Sequence, residues 1–140
     1  MNTSWKEHCM PDMRTLKDKR VIVRVDWNVP VTNGVITDTS RFDVSVPFLK
    51  NLSASGAKII LLTHFGEKGE SLSVVASHVT AALPFITFMP SKDFGELETA
   101  SRNLTAGNGI LLENVRLFDG EIENLQSLTE SFASLGDVFI

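Results

Sequence analysis

Cysteine, basic residues and long apolar runs are all scarce in this chain of 140 residues. Cys9 is the only cysteine, which excludes a disulfide framework and a cluster of thiols for zinc. Lysine and arginine total 13 against 17 acidic residues, which argues against binding to nucleic acid or to a membrane surface. No segment approaches the roughly 18 consecutive apolar residues that span a bilayer, and the N-terminus lacks the apolar core of a signal peptide. We therefore expect a cytoplasmic protein with no nucleic-acid or membrane partner.

The remaining composition, 43% hydrophobic and 21% charged, is ordinary for one globular domain. Apolar strand-like runs alternate with helical patterns, which predicts βαβ units and an α/β, Rossmann-like parallel sheet flanked by helices. The predicted strands cover residues 21–27, 58–64, 85–89, 109–115 and 137–140. The predicted helices cover residues 39–54, 72–83, 96–104 and 125–135, with Ser71 as the N-cap of the second. Asn33 and Gly34 predict the turn of a small hairpin over residues 31–36.

The last residues, DVFI, have the pattern of a buried strand with no polar tail after it. Chain termini usually lie exposed at the surface of a domain. The pattern therefore predicts a domain truncated after its last strand.

Polar residues follow the predicted strands, and parallel strands bring such residues to one carboxyl edge, where open α/β sheets bind ligands. They are Asp26, Asn28, Thr63, His64, Ser91, Glu113, Asn114 and Arg116, joined by Arg41 at the start of the first helix. This combination predicts an anion site beside groups that bind hydroxyls. Arginine matches phosphate or carboxylate with a planar fork.

His64 can donate a hydrogen bond to a phosphate, and Gly66 lets the backbone approach a ligand closely. Purely structural roles remain open for these residues, including a surface ion pair between Arg116 and Glu113. The GNG at 107–109 precedes a strand and is no dinucleotide signal, and no Walker-type phosphate loop is present in the sequence. A Rossmann oxidoreductase is a third hypothesis, and only the predicted architecture supports it. The glycine fingerprint that such enzymes carry after the first strand does not follow Asp26.

Several strings resemble, in order and spacing, the N-terminal domain of phosphoglycerate kinase. They are VIVRVDWNVP, NGVITDTSR, LLTHFG, SLSVVA and ILLENVRLFDGE. The resemblance implies a substrate domain over residues 19–140, preceded by an N-terminal extension over 1–18. That family transfers a phosphoryl group between 1,3-bisphosphoglycerate with ADP and 3-phosphoglycerate with ATP. Mg-ATP or Mg-ADP binds a C-terminal domain that is absent here, so the resemblance implies neither a nucleotide nor a metal site in this chain.

By the same resemblance, Asp26 and Asn28 hold the hydroxyl and carboxyl region of the glycerate. Arg41 contacts the carboxylate and stabilises the phosphoryl group during transfer, which makes it the expected catalytic residue. His64, Gly66 and Arg116 belong to the cradle around the substrate phosphate. The expected ligand is 3-phosphoglycerate or 1,3-bisphosphoglycerate, and a separate nucleotide-binding domain is an expected partner.

One departure from the family pattern concerns the loop after the second strand. The family usually has Gly-Arg-Pro-Lys-Gly after the histidine, whereas HFGEKGE places Glu67 where a substrate-binding arginine is expected. A carboxylate there repels a phosphate, and Lys68 replaces the arginine only as a point charge. Two hypotheses follow: the substrate-binding half of a phosphoglycerate kinase, inactive by itself, or a stand-alone phosphometabolite-binding or regulatory module without catalysis.

Overall fold

The computed structural model describes residues 12–66, 70–118 and 125–140, which form alternating strands and helices. The strands are β1 Arg20–Arg24, β2 Val31–Thr32, β3 Val35–Ile36, β4 Lys58–Leu62, β5 Ile86–Met89, β6 Gly109–Leu112 and β7 Val138–Phe139. The helices are α1 Ser40–Ala54, α2 Ser73–Ala82, α3 Phe94–Arg102 and α4 Leu125–Ala133, with short 3-10 turns at Met13–Leu16 and Val115–Leu117. Within these ranges, no helix is both long and apolar enough to cross a membrane.

Five of the strands form one parallel sheet in the order β5, β6, β4, β1, β7. The central pair is in register along its whole length, from Arg20 opposite Lys58 to Arg24 opposite Leu62. All of β6 and most of β4 are buried. Strands that are covered on both faces have continuous apolar sequences, as these two do. The predicted α/β parallel sheet is confirmed.

Two apolar layers cover the faces of the sheet. On one face, Leu49 of α1 and Val79 of α2 pack in the same cluster as Val21 of β1. On the other face, Leu97 of α3 and Phe132 of α4 share a second cluster with the strands. The chain reverses its direction across the sheet after β5, and the later helices α3 and α4 lie on the opposite face from α1 and α2, as right-handed crossovers require. Such a reversal leaves the loops at the carboxyl edge free to form a ligand site.

Strands β1, β4 and β6 end two or three residues earlier than predicted, and side-chain oxygens accept backbone N–H groups just beyond these ends. β1 ends at Arg24 rather than residue 27, and the Trp27 N–H donates to the Thr63 hydroxyl at 3.1 Å. β6 ends at Leu112, and the Asn114 N–H donates to the neighbouring Glu113 carboxylate at 2.8 Å. The polar strand ends are therefore irregular backbone held by side chains.

The expected capping role of Ser71 holds in part: it lies one residue before the N-cap, and its hydroxyl accepts the N–H of Ser73, the first residue of α2, at 3.3 Å. Helix α2 begins at Ser73, and its N-cap residue is Leu72, which provides no side-chain cap. The Ser71 hydroxyl also donates to Glu113 Oε2 at 3.0 Å, and Glu113 Oε1 accepts the Leu72 N–H at 2.6 Å. Ser71 and a carboxylate from a neighbouring strand end thus hold the start of α2 together.

The hairpin of β2 and β3 is confirmed. Asn33 and Gly34 have positive φ values of 52° and 75°, as a tight two-residue turn between such strands requires. Near the start of the described residues, Leu16 is 2% exposed and packs in the first apolar cluster. The boundary of the domain at residue 19 stays a prediction.

Candidate functional site

Trp27 anchors the loop that follows β1. Its ring is fully buried, its backbone N–H donates to the Thr63 hydroxyl, and its indole N–H donates to Ser45 Oγ at 2.9 Å. Burial of a large aromatic ring with its polar N–H satisfied holds the backbone in one conformation. Its neighbours along the chain, Asp26 and Asn28, are thereby held at the carboxyl end of β1.

Arg41, in the first turn of α1, lies against this loop. Its Nη1 donates to Asp26 Oδ1 at 3.3 Å and to the Asn28 carbonyl oxygen at 3.2 Å. The side chains of Arg41 and Asp26 are 57% and 61% exposed, so both charges face solvent and can reach a ligand. Both contacts use the same guanidinium nitrogen, so the other N–H donors of Arg41 can bind an anion.

The start of α1 is fixed by Asp38. Its Oδ1 accepts the backbone N–H of Ser40 at 2.8 Å and also the Ser40 hydroxyl. The hydroxyl bond, followed by the backbone bond, lowers the pKa of the Asp38 carboxyl from its ordinary value. The carboxylate therefore stays charged beside the N-terminus of α1, where a negative charge is favourable, and it holds the turn from which Arg41 projects.

Gly66 connects the loops that follow β1, β4 and β6. Its backbone N–H donates to Asn28 Oδ1 at 3.0 Å, and its carbonyl oxygen accepts from Arg116 Nη1 at 3.0 Å. Gly66 has a φ of 70°, a conformation that favours glycine. A Cβ at this position would also collide with the Glu70 carboxylate, which lies over it. The backbone conformation therefore favours glycine here, whereas the exposed Glu70 side chain is flexible and can move aside for a Cβ.

The six predicted site residues lie together at this edge. Arg41 contacts Asp26 and Asn28, Asn28 contacts Gly66, and Gly66 contacts Arg116. His64 is half-buried two residues before Gly66, directly beyond β4. Glu67 and Lys68 lie outside the described residues. The structure thus joins five of the predicted residues in one network, with His64 nearby along the chain, and their roles toward a ligand stay predictions.

A cavity of about 350 Å³ opens beside this network, between Asn28, Gly66, Glu70 and Ser71. A larger groove of about 610 Å³ borders Asp26 and Arg41 and is lined mainly by apolar side chains. Arg41 therefore borders the groove, and Asn28 and Gly66 border the smaller cavity.

Two further polar residues, Glu113 and Asn114, serve the site from inside the protein. Glu113 is 6% exposed and its carboxylate accepts hydrogen bonds from the Ser71 hydroxyl and the Leu72 and Asn114 amides. Asn114 is fully buried and bonds to the backbone of Phe65. The sequence places both at the carboxyl edge, and their place directly after a buried strand is the one signal that marks them. That both side chains turn inward is visible only in the structure.

Ser91, the other polar residue predicted at this edge, is engaged in the start of α3. Its hydroxyl accepts the Asp93 N–H at 3.1 Å and donates to the Glu96 carboxylate. These local bonds join Ser91 to the cap of α3, separately from the network of Arg41, Gly66 and Arg116.

The fold and the edge define a parallel α/β domain in which an arginine of the first helix and an arginine of a strand-end loop are linked through a glycine turn. Comparison with known proteins identifies the family more closely. The family model for phosphoglycerate kinase matches residues 10–140, so the chain belongs to the phosphoglycerate kinase family.

Individual relatives agree with this assignment. The chain is 43% identical over 135 residues to a phosphoglycerate kinase of Deinococcus radiodurans, which covers 89% of this chain and 32% of the relative. It is 40% identical over 140 residues to one of Lactobacillus delbrueckii subsp. bulgaricus, covering 89% of this chain and 35% of the relative. The chain thus spans about a third of the length of these relatives.

Solved structures show the same likeness. The phosphoglycerate kinase of Coxiella burnetii superposes with a TM-score of 0.74 at 32% identity, covering 89% of this chain and 32% of that chain. The enzyme of Pyrococcus horikoshii OT3 superposes with a TM-score of 0.79 at 24% identity, covering 89% and 34%, and shows the shared fold alone.

Proposed function

We propose that this chain is the 3-phosphoglycerate-binding part of a phosphoglycerate kinase. The observation that carries the proposal is the Gly66 turn, whose N–H is held by Asn28 and whose carbonyl is held by Arg116. This turn joins the loop beside Arg41 to the loop of Arg116, and it borders a cavity of about 350 Å³. The expected ligand carries a carboxylate at one end and a phosphate at the other.

Each group has a role suited to its chemistry. Arg41 binds the carboxylate and stabilises the charge that develops on the phosphoryl group, since fixed guanidinium groups lower the energy of such transition states. The Asp26 carboxylate accepts a hydrogen bond from the glycerate hydroxyl, and the Asn28 amide nitrogen donates one to it. His64 and Arg116 donate to the phosphate, where charge-assisted hydrogen bonds are strongest, and Gly66 lets the backbone lie close to it.

Phosphoryl transfer also needs a nucleotide and magnesium. Within the ranges 12–66, 70–118 and 125–140, no three His, Cys, Asp or Glu side chains are grouped so that they could hold a metal ion. The donors at the edge, mainly arginines and amides, suit anions rather than cations. We therefore propose that Mg-ATP or Mg-ADP binds outside these residues, and that the 140-residue chain assayed alone does not catalyse the reaction.

Titration calorimetry with 3-phosphoglycerate tests the proposal, with glycerate and inorganic phosphate as matched partial ligands. We expect saturable binding of 3-phosphoglycerate and binding at least about tenfold weaker for either partial ligand, since each loses one of the two charged ends. Equal affinities for phosphate and 3-phosphoglycerate would contradict a site that binds both the carboxylate and the phosphate of the ligand.

The position of Glu67 favours a second candidate, a phosphometabolite-binding module without catalysis. A turnover assay with ATP and an added nucleotide domain from a related enzyme separates the two. Restored turnover supports the kinase, whereas ligand binding without turnover supports the module. Turnover by the chain alone would contradict the proposed inactivity.

A further inference from the structure

Asn114 uses the full hydrogen-bonding capacity of its side-chain amide. Its Nδ2 donates to the carbonyl oxygens of Phe65 at 2.6 Å and Glu70 at 2.8 Å. Its Oδ1 accepts the backbone N–H groups of Phe65 at 3.0 Å and Arg116 at 3.2 Å. A carboxamide offers two donors and two acceptor lone pairs, so all four positions are used. The residue is fully buried, which makes each of these bonds costly to lose.

The partners of Asn114 are the backbone groups that flank the anion-binding parts of the site. The Phe65 carbonyl and the Gly66 N–H belong to one planar peptide unit, so the bond to the Phe65 carbonyl sets the direction in which the Gly66 N–H points. The bond to the Arg116 N–H fixes the backbone from which that guanidinium extends back to Gly66. One buried amide thus fixes the backbone on both sides of the contact between Gly66 and Arg116, the part of the site proposed to bind phosphate.

We propose that Asn114 is a positioning residue for phosphate binding, acting through Phe65, Gly66 and Arg116 without touching the ligand. This inference rests on the proposed function. Asparagine is required because aspartate keeps the acceptors for the two N–H groups and loses both donors to the carbonyls. Leucine or alanine loses all four bonds.

Binding of 3-phosphoglycerate by calorimetry is compared between the wild type, Asn114→Asp and a control, Leu97→Ala. Leu97 is fully buried in the apolar cluster on the α3 side of the sheet, so the control loses stability without altering the site. At a temperature where all three remain folded by circular dichroism, we expect Asn114→Asp to bind at least about tenfold more weakly. Leu97→Ala binds within about twofold of the wild type, even where its melting temperature falls further.

A second measurement needs no ligand and remains informative if Asn114→Asp is poorly stable. Amide hydrogen exchange by NMR under conditions where the variant is folded reports the Phe65 and Gly66 N–H groups directly. We expect these two amides to lose protection by at least about tenfold relative to the wild type, while the Ile60 amide of the central sheet changes only with global stability. This local loss is a signature that a general destabilisation does not produce.

The two claims fail in different ways. A wild type that does not bind 3-phosphoglycerate would overturn the proposed function. A wild type that binds, with unchanged affinity in Asn114→Asp or with unchanged Phe65 and Gly66 protection, would overturn the positioning role of Asn114. An equal loss of affinity in Leu97→Ala would also overturn it, because stability alone would then explain the effect.

Discussion

Replacing Arg41 by alanine removes the guanidinium that borders the site and leaves the fold intact. The side chain is 57% exposed and its ion pair with Asp26 is a long one of 3.3 Å. Exposed pairs of this kind contribute about 0–1 kcal/mol to stability. We therefore expect the melting temperature of Arg41→Ala to stay close to that of the wild type, so that any change in binding reports the site.

The expected loss of affinity follows from the bonds that the guanidinium can make. Hydrogen bonds to charged groups contribute about 1.5–3 kcal/mol, and each 1.4 kcal/mol is a factor of about ten in Kd. Arg41→Ala should therefore weaken 3-phosphoglycerate binding by about ten- to 150-fold. Arg41→Lys keeps the charge but not the planar fork, and it should give an intermediate loss.

Arg102→Ala is the matched control for this experiment. Arg102 is also a helical arginine paired with a carboxylate, Glu98, and its side chain is 68% exposed. It ends α3, whose following strand β6 begins at the amino edge of the sheet, opposite the site. At about 0.15 M salt, where charges are screened beyond about 8 Å, Arg102→Ala should leave binding unchanged. Equal losses for Arg41→Ala and Arg102→Ala in calorimetry would refute an organised site and indicate diffuse electrostatics.

Three further predictions concern packing, acid stability and charge. Gly109→Ala should cost about 1–3 kcal/mol of unfolding free energy in urea titrations, because its Cβ would lie 2.7 Å from the Ile59 Cβ and carbonyl oxygen. The Arg20 N–H, 2.9 Å from Asp137 Oδ2, is the main cause of a lowered pKa of Asp137. The Asp137 carboxylate therefore stabilises the fold at pH values above its unfolded pKa of about 3.9, and this stabilisation is lost as the pH falls through its lower folded pKa. In Asp137→Asn, this contribution to the pH dependence of the melting temperature should be missing. Glu67→Arg, outside the described residues, should tighten 3-phosphoglycerate binding about tenfold, more at low salt, by exchanging a repulsive for an attractive charge.

Much of the fold could be predicted from residue patterns. The alternation of apolar runs and helical stripes predicts the parallel sheet, and Asn33 with Gly34 predicts the hairpin turn. The convergence of Asp26 and Arg116 also follows from pattern alone, because parallel strands bring their carboxyl ends to one edge.

The inward-facing groups at that edge could not be predicted. Ser71 was expected to cap α2, but the Leu72 N–H is bound by Glu113, a residue 41 positions away. Asn114 similarly bonds to Phe65, 49 positions away. Sequence patterns describe residues near one another along the chain, whereas these bonds depend on how separate loops meet beyond the regular strands. Whether a polar side chain at a strand end faces ligand or protein is decided by that irregular backbone.

The most direct test of the central claim, that 3-phosphoglycerate binds across the carboxyl edge, is an NMR titration of the isotope-labelled chain. Amide shifts that change saturably with ligand should be largest for Gly66, Asn28 and Arg116, with little change for α3 and the amino ends of the strands. Shifts centred on α3, or no saturable shifts at all, would contradict the account.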